Sequence, residues 1–271
     1  MSSTIQRERA AARARLERQM AEKLEKARKR KQRNAIIGAA AAVLLVAGGV
    51  VWGVMALDDG KPADSAAPGD ANCMWTPDDT AANPDLKDVG APPTGKAPNK
   101  GTQTMTITTN LGVVEVEVNT AKAPCTARSM TYLASKNFFD NTKCHRLTTE
   151  GIKVLQCGDP AAKGTGGPTY KMAEENLPNF TDDNKNYPIG TIAMAKAQQP
   201  GSTGSQFFIV WGDTPLPGQY TVLGKITKGL DLIQEAAKAG ATGEDGKDAT
   251  DGTPKTEVLI KTLTVTAPQA G

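Results

Sequence analysis

Apolar and polar residues alternate with a period of two through 102–109 (TQTMTITT) and 113–119 (VVEVEVN), on either side of Asn110-Leu111-Gly112. This pattern predicts a hairpin of two half-buried strands. At 123–136 the period lengthens: Pro124 stands at a first helical turn, and Met130, Leu133 and Ala134 fall on one side, which predicts a helix. Alternation returns in 144–159 (CHRLTTEGIKVLQCGD), two runs around Thr-Thr-Glu-Gly, a second hairpin. In 190–210 two short apolar segments, 191–195 and 206–210, flank a loop of Gln, Pro, Gly, Ser and Thr. Phe207 and Phe208 are consecutive in a predicted strand, so they point to opposite faces, one toward a core and one toward a surface pocket. A strand at 220–226, a helix at 230–239 ending at Gly240, an acidic Gly-rich loop at 241–254 and a strand at 257–266 complete the chain. Many short strands with two helices predict a mainly β fold, a closed antiparallel barrel whose first and last strands pair and leave no edge.

The first hundred residues follow other rules. Residues 35–57 are 23 uncharged residues, a length that as a helix spans roughly 34 Å and so crosses a hydrocarbon core of about 30 Å. Trp52 lies near the far end, where interfacial indoles are favoured. The net charge of +3 conceals an asymmetry: residues 1–34 hold twelve Lys/Arg against four Asp/Glu, and the rest of the chain balances at −5. A basic flank before the apolar run and Asp58-Asp59 after it predict a single transmembrane helix at the cell membrane, with 1–34 cytoplasmic and all that follows 57 extracytoplasmic. The competing reading is a cleaved signal peptide, whose basic and apolar regions are normally shorter and for which Val54-Met55-Ala56 is a poor cleavage site. Residues 2–33 have helix-forming composition but few apolar positions. They read as a solvated basic helix or tail, or as a helix on anionic lipid headgroups; without interleaved aromatics no nucleic-acid partner is expected.

Residues 58–101, rich in Pro, Gly, Ala, Asp and Thr, read as an extracytoplasmic linker to a domain at 102–267, with Cys73-Met74-Trp75 as a short piece docked onto that domain. The four cysteines, Cys73, Cys125, Cys144 and Cys157, all lie beyond the apolar run, where oxidation is permitted and an even number favours disulfides. Three pairings exist. Cys144 and Cys157 flank the second hairpin and are placed to face each other, which leaves Cys73 for Cys125; four free thiols are the alternative. The spacings match no zinc site, and with one histidine in the chain no His-rich metal site forms.

Taken singly, the polar residues of these strands have bland explanations: a lone Arg on a strand is usually a solvated edge charge. Their order is more specific. His145-Arg146, Gln156-x-Gly-Asp, Gly164-Thr-Gly-Gly, Met194-Ala-x-Ala and Gly204-Ser-Gln-Phe-Phe-Ile occur within seventy residues, and this series resembles the cyclophilin family of peptidyl-prolyl cis-trans isomerases. The resemblance runs from about Thr102 to Thr266, and in detail is closest to a membrane-anchored, actinobacterial-like form. It implies an eight-stranded cyclophilin-like barrel with a helix across each end, proline-containing polypeptides as substrates, and no cofactor or metal. It implies catalytic roles for Arg146, held by Gln156, and for Phe208 as the floor of a proline pocket with Val154, Met194 and Leu216 as neighbours. Gln206 and the backbone of Ala195, Lys196 and Ala197 would bind the substrate main chain, Gly164 would keep one side of the groove open, and His145 and Tyr220 would stand on its wall.

Departures from the family pattern bear on that pocket. After His145-Arg146 the Pro-Gly-Phe-Met common in the family is replaced by a longer segment, 149–154, so an aromatic wall is missing. Lys196 stands where Asn is usual, Pro215 where Trp often precedes the leucine, and Tyr220 where His is common. Two functions compete: an isomerase that speeds the folding of exported proteins, and a proline-peptide-binding chaperone or scaffold with negligible turnover. A guanidinium aimed at the amide nitrogen favours the first, because mere binding does not need it.

Overall fold

The computed structural model describes residues 71–269; the basic tail 1–34, the apolar run 35–57 and the first part of the 58–101 segment lie outside the described residues. Eight strands and two helices make the body of the domain. They are β1 (Gln103–Thr109), β2 (Val113–Val118), α1 (Pro124–Ser135), β3 (Arg146–Thr148), β4 (Val154–Cys157), β5 (Thr191–Lys196), β6 (Thr203–Val210), β7 (Val222–Lys228), α2 (Leu230–Lys238) and β8 (Leu259–Val265). The hydrogen-bonded order is β3-β4-β6-β5-β7-β2-β1-β8, every pair antiparallel. Beyond β8 comes Thr142–Lys143, and beyond β3 comes Asp251–Pro254. The chain passes from one end of this order to the other between Lys143 and Arg146: the Cys144 N–H donates to Val258 O (2.9 Å) and the His145 N–H to Gln156 O (3.0 Å).

Strict alternation in β1 and β2 places Met105, Ile107, Val114, Val116 and Val118 in the interior. α1 adds Ala127, Met130 and Leu133, and α2 adds Ile233, Ala236 and Ala237, to the same core. Phe139 packs edge-on against both Phe138 (5.2 Å) and Phe207 (6.3 Å) within it. In β5 and β6 alternation gives way to continuous burial at 191–194 and 207–210, because a second, smaller apolar cluster covers their outer face. That cluster contains Val154, Tyr187, Ala193, Phe208 and Val210. α1 begins at Ala123 without a side-chain cap; the carboxylate of Glu175, from a distant loop, accepts the Thr126 N–H instead (2.5 Å).

The segment 71–100 departs from the linker reading. It is packed onto the domain as short paired pieces: Ala71–Cys73 with Gly95–Ala97, Thr76–Pro77 with Tyr170–Lys171, and Leu86–Lys87 with Gly167–Pro168. A disulfide joins Cys73 to Cys125 in the first turn of α1, and a second joins Cys144 to Cys157. Trp75 sits edge-on to Tyr170 (5.5 Å), Tyr132 donates to Val89 O (2.7 Å), and Arg128 donates to the carbonyls of Pro93, Gly95 and Lys96. A covalent link, short ladders, one aromatic contact and ion pairs such as Lys163–Asp85 (2.5 Å) and Lys171–Asp78 (2.8 Å) hold the segment, and none of these leaves an apolar period in its sequence.

Candidate functional site

Register builds the site. Arg146 pairs with Gln156 across β3 and β4, Gln156 with Phe208 across β4 and β6, and Phe208 with Ala193 across β6 and β5. Direct cross-strand partners share a face, so the four form one row on the outside of the sheet. Their neighbours Leu147, Leu155, Phe207 and Met194 point inward. A cavity of about 180 Å³ opens over this row, lined by Arg146, Ile152, Val154, Gln156, Ala195, Lys196, Phe208, Leu216 and Tyr220. Its floor is the ring of Phe208, which Tyr187 (5.9 Å) and Tyr220 (5.5 Å) meet edge-on. Tyr220 gives the pocket an aromatic side that the 149–154 segment does not. Tyr187 accepts the Tyr220 N–H (2.8 Å), and burial pushes its phenol up to about 12.

The polar side of the row is one directed chain of hydrogen bonds. Gln206 Nε2 donates to Gly166 O (2.9 Å), Gln156 Nε2 to Gln206 Oε1 (2.7 Å), and Arg146 Nη1 to Gln156 Oε1 (3.4 Å). Each amide is oriented by the one before it, so an acceptor, not a donor, faces the guanidinium. On its other edge Arg146 is gripped by Asp251, through Nε to Oδ1 (2.7 Å) and Nη2 to Oδ2 (2.6 Å). This bonding raises the guanidinium above its ordinary value and holds the Asp251 carboxyl below the usual carboxylate range.

A second cavity of about 380 Å³ adjoins the first and shares Gln156, Ala195 and Lys196 with it. Gly164, Ala197 and Gln206 line this one, together with Asp78 and Asn83 of the docked segment. The Gly-rich loop on its rim is organised by Asp159, a fully buried carboxylate that accepts the N–H groups of Ala161, Lys163, Gly164 and Gly166. A Cβ at Gly166 would lie 2.0 Å from Asp159 Oδ1, so glycine is required there. Opposite, the β5–β6 register skips Ala195 against 204–206, a bulge that re-aims this stretch toward the groove.

The structure thus gathers Arg146, Val154, Gln156, Ala195, Lys196, Phe208, Leu216 and Tyr220 at one cavity and Gly164, Ala197 and Gln206 at the next. Met194 is a correction. It pairs with Phe207 and is fully buried in the inner core; of its neighbours, Ala195 lines the pocket and Ala193 is buried in the outer cluster. His145 lines neither cavity; its ring lies beside Gly164, and both ring nitrogens are without a hydrogen-bond partner among the described residues. Asp251, Asp159, Tyr187 and Ile152 are absent from the site as read from the sequence. Asp159 closes the Gln-x-Gly-Asp motif and so had a signal; Asp251 lies in an acidic, Gly-rich stretch that reads as solvated.

A family model described as cyclophilin type peptidyl-prolyl cis-trans isomerase/CLD matches residues 104–265. The chain is 44% identical over 204 residues to a Mycobacterium leprae protein named probable peptidyl-prolyl cis-trans isomerase B, covering 71% of this chain and 66% of that one. It is 44% identical over 202 residues to a Mycobacterium tuberculosis protein of the same name, covering 70% and 64%. The chain therefore spans just under two thirds of the length of these curated relatives. A crystal structure of a Cryptosporidium parvum cyclophilin type peptidyl-prolyl cis-trans isomerase superposes with a TM-score of 0.51 at 24% identity, covering 62% of this chain and 99% of that one. The same protein in the presence of the dipeptide Ala-Pro superposes with a TM-score of 0.51 at 25% identity, covering 60% and 99%.

His145 generates a prediction about stability. Burial lowers its pKa from 6.5; the charge of Asp159 opposes this, and the smaller effect of Arg146 adds to the lowering. Below 6.5 the unfolded chain takes up a proton that the folded ring still refuses, so stability falls as pH falls through that window. His145 is the one histidine of the chain; burial raises the Glu175 carboxyl above 4.5, which adds a slope of opposite sign that the protein and its His145 variants share, so the difference between them isolates the ring. Denaturant midpoints measured from roughly pH 7 down to pH 5 should fall for the unaltered protein relative to His145→Gln; equal slopes would contradict this assignment.

Proposed function

The chain belongs to the cyclophilin family, and from that premise we propose that it is a peptidyl-prolyl cis-trans isomerase that accelerates the folding of exported proteins at the outer face of the cytoplasmic membrane. The observation that carries the activity is the row on the outer face: a guanidinium at the rim of an apolar pocket floored by Phe208, with the strand of Gln156 between the two. The approach of the two ends of the strand order at 142–146 supports reading the sheet as a barrel.

Rotation about an X–Pro amide faces a barrier of about 18–20 kcal/mol because the nitrogen lone pair is delocalised, whereas the two planar forms differ by only about 0.5–1 kcal/mol. Catalysis therefore consists of binding the twisted amide better than either planar one, with no bond made and no proton transferred. The proline ring sits on Phe208 between Ile152, Leu216 and Tyr220. As the amide twists, its lone pair localises on nitrogen, and an Arg146 N–H donates to it. The guanidinium is held in place before the substrate arrives, so its hydrogen bond strengthens without reorganisation. Gln206 and the main chain of 195–197 hold the peptide on either side of the proline.

The membrane reading rests on the apolar run 35–57 as a single span, with the basic tail 1–34 in the cytoplasm against anionic headgroups. Two disulfides in the domain support an oxidising, extracytoplasmic setting. The clients are then unfolded chains emerging from the membrane.

Isomerisation of a proline peptide by the full chain in detergent tests the activity. Arg146→Ala should lower turnover about 30- to 1,000-fold, the loss of roughly 2–4 kcal/mol of transition-state stabilisation, with much less effect on peptide affinity. Arg146→Lys should recover little, because an ammonium lacks the planar fork. Phe208→Ala should weaken affinity and turnover together. An unaltered protein that binds the peptide but speeds isomerisation no more than Arg146→Ala would turn the reading to a binding module. For topology, protease added to intact spheroplasts should remove the domain and spare 1–34; a protected domain would reverse the orientation.

A further inference from the structure

The acidic stretch after α2 is built into the sheet. Ala241–Thr242 pairs with Asp248–Ala249 and with Asp251–Pro254, and Asp251–Pro254 pairs in turn with β3. Asp251 stands opposite Thr148 and Gly252 opposite Leu147, and the Thr149 N–H donates to Thr250 O (2.8 Å). A Cβ at Gly252 would lie 2.3 Å from Thr242 O, so glycine permits this close approach of backbones. Cross-strand partners share a face, as do residues two apart on a strand. Asp251 is therefore the diagonal neighbour of Arg146 on the outer face, and the register that fixes β3 also fixes the carboxylate.

A guanidinium has five N–H donors. Asp251 takes Nε and one from Nη2 in a bidentate pair; Gln156 takes one from Nη1 at 3.4 Å. The contact to Gln156 is long, and the charge-assisted fork to Asp251 is short, so the fork sets the orientation. One donor on Nη1 and one on Nη2 remain. Asp251 is absent from the lining of the proline pocket, to which Arg146 and Gln156 contribute. The carboxylate grips the edge of the guanidinium turned away from the pocket and leaves the Nη1 corner toward it.

We propose that Asp251 is the positioning residue for the catalytic guanidinium, an inference that rests on the isomerase reading above. It fixes the plane of a long, rotamer-rich side chain that is 41% exposed and that Gln156 alone would hold loosely. A gate that withholds the arginine would need to leave it. Asp251 instead belongs to a strand hydrogen-bonded to the one carrying Arg146, and the pair moves as a unit.

The test is a double-mutant cycle on the full chain in detergent, with kcat and KM for one proline peptide measured separately by exchange spectroscopy. Misorientation of a catalytic group by about 1 Å costs up to about 100-fold, and a loss of roughly tenfold in kcat is expected for Asp251→Asn, with KM little changed. Asp251→Glu, which keeps the two-oxygen acceptor, should recover most of it. In an Arg146→Ala background Asp251→Asn should cost nothing more, and thermal unfolding of each variant checks that the fold is intact. The proposal is overturned if Asp251→Asn leaves kcat unchanged, if it raises kcat (the sign of a carboxylate that withholds the arginine), or if it costs the same factor without Arg146. An unaltered protein that does not accelerate isomerisation at all is a separate result: it removes the isomerase reading itself, and a catalytic role for Asp251 with it.

Discussion

Arg146, Gln156 and Phe208 come from three strands, and hydrogen-bond register is what keeps them in one row. A slip of one residue between β4 and β6 would turn Phe208 into the core and Phe207 out to the surface, and would part the Arg146–Gln156 pair from the phenylalanine it faces. The slip is prevented from both sides. Phe207 is locked among Phe139, Met194 and the inner core, while Phe208 is locked beneath Tyr187 and Tyr220. The continuous burial of β5 and β6, which departs from simple alternation, is the sign of this double constraint. The Cys144–Cys157 disulfide adds a covalent tie between residues two before Arg146 and one after Gln156.

The polar half of the site depends on the same register. From Gly166 O through Gln206 and Gln156 to Arg146, every group is oriented by its neighbour, and Asp251 closes the far end. A relay of this kind places a donor before substrate arrives, and for a reaction without covalent chemistry placement is the whole of the catalytic contribution. The first member is itself held by Asp159, whose carboxylate gathers four N–H groups of the Gly-rich loop. The Gly-rich motif thus serves the arginine through two intervening side chains, Gln206 and Gln156.

Much of this was legible in the residues. The turn at 110–112, Pro124 at the start of α1, and Gly240 at the end of α2 each act locally, so short-range pattern sufficed to place the strands and helices around them. The consecutive phenylalanines stated their own opposition. What escaped was set by distant partners. Met194 was assigned to the pocket by its place in a motif, but its facing depends on pairing with Phe207, which sequence does not print. The docked segment 71–100 is tied to α1 by a disulfide and to the Gly-rich region by two-residue ladders, and is closed on itself by a three-residue one, all too short to leave a period. Asp251 sits among other acids and glycines, and only its register opposite Thr148 separates it from them. Tyr187, next to a proline in a polar stretch, gave no sign that it would underlie Phe208.

The central claim is that the outer row, and no other surface, receives the prolyl ring with its amide beside Arg146. Intermolecular nuclear Overhauser contacts between the full chain and a short peptide containing Ala-Pro test it directly. Contacts are expected from the proline ring to Phe208, Ile152 and Leu216, and from the residue preceding proline toward Ala195 and Gln206, for both the cis and the trans peptide. Proline contacts confined to the neighbouring cavity around Gly164 and Ala197, or their persistence at full strength after Phe208→Ala, would contradict the account.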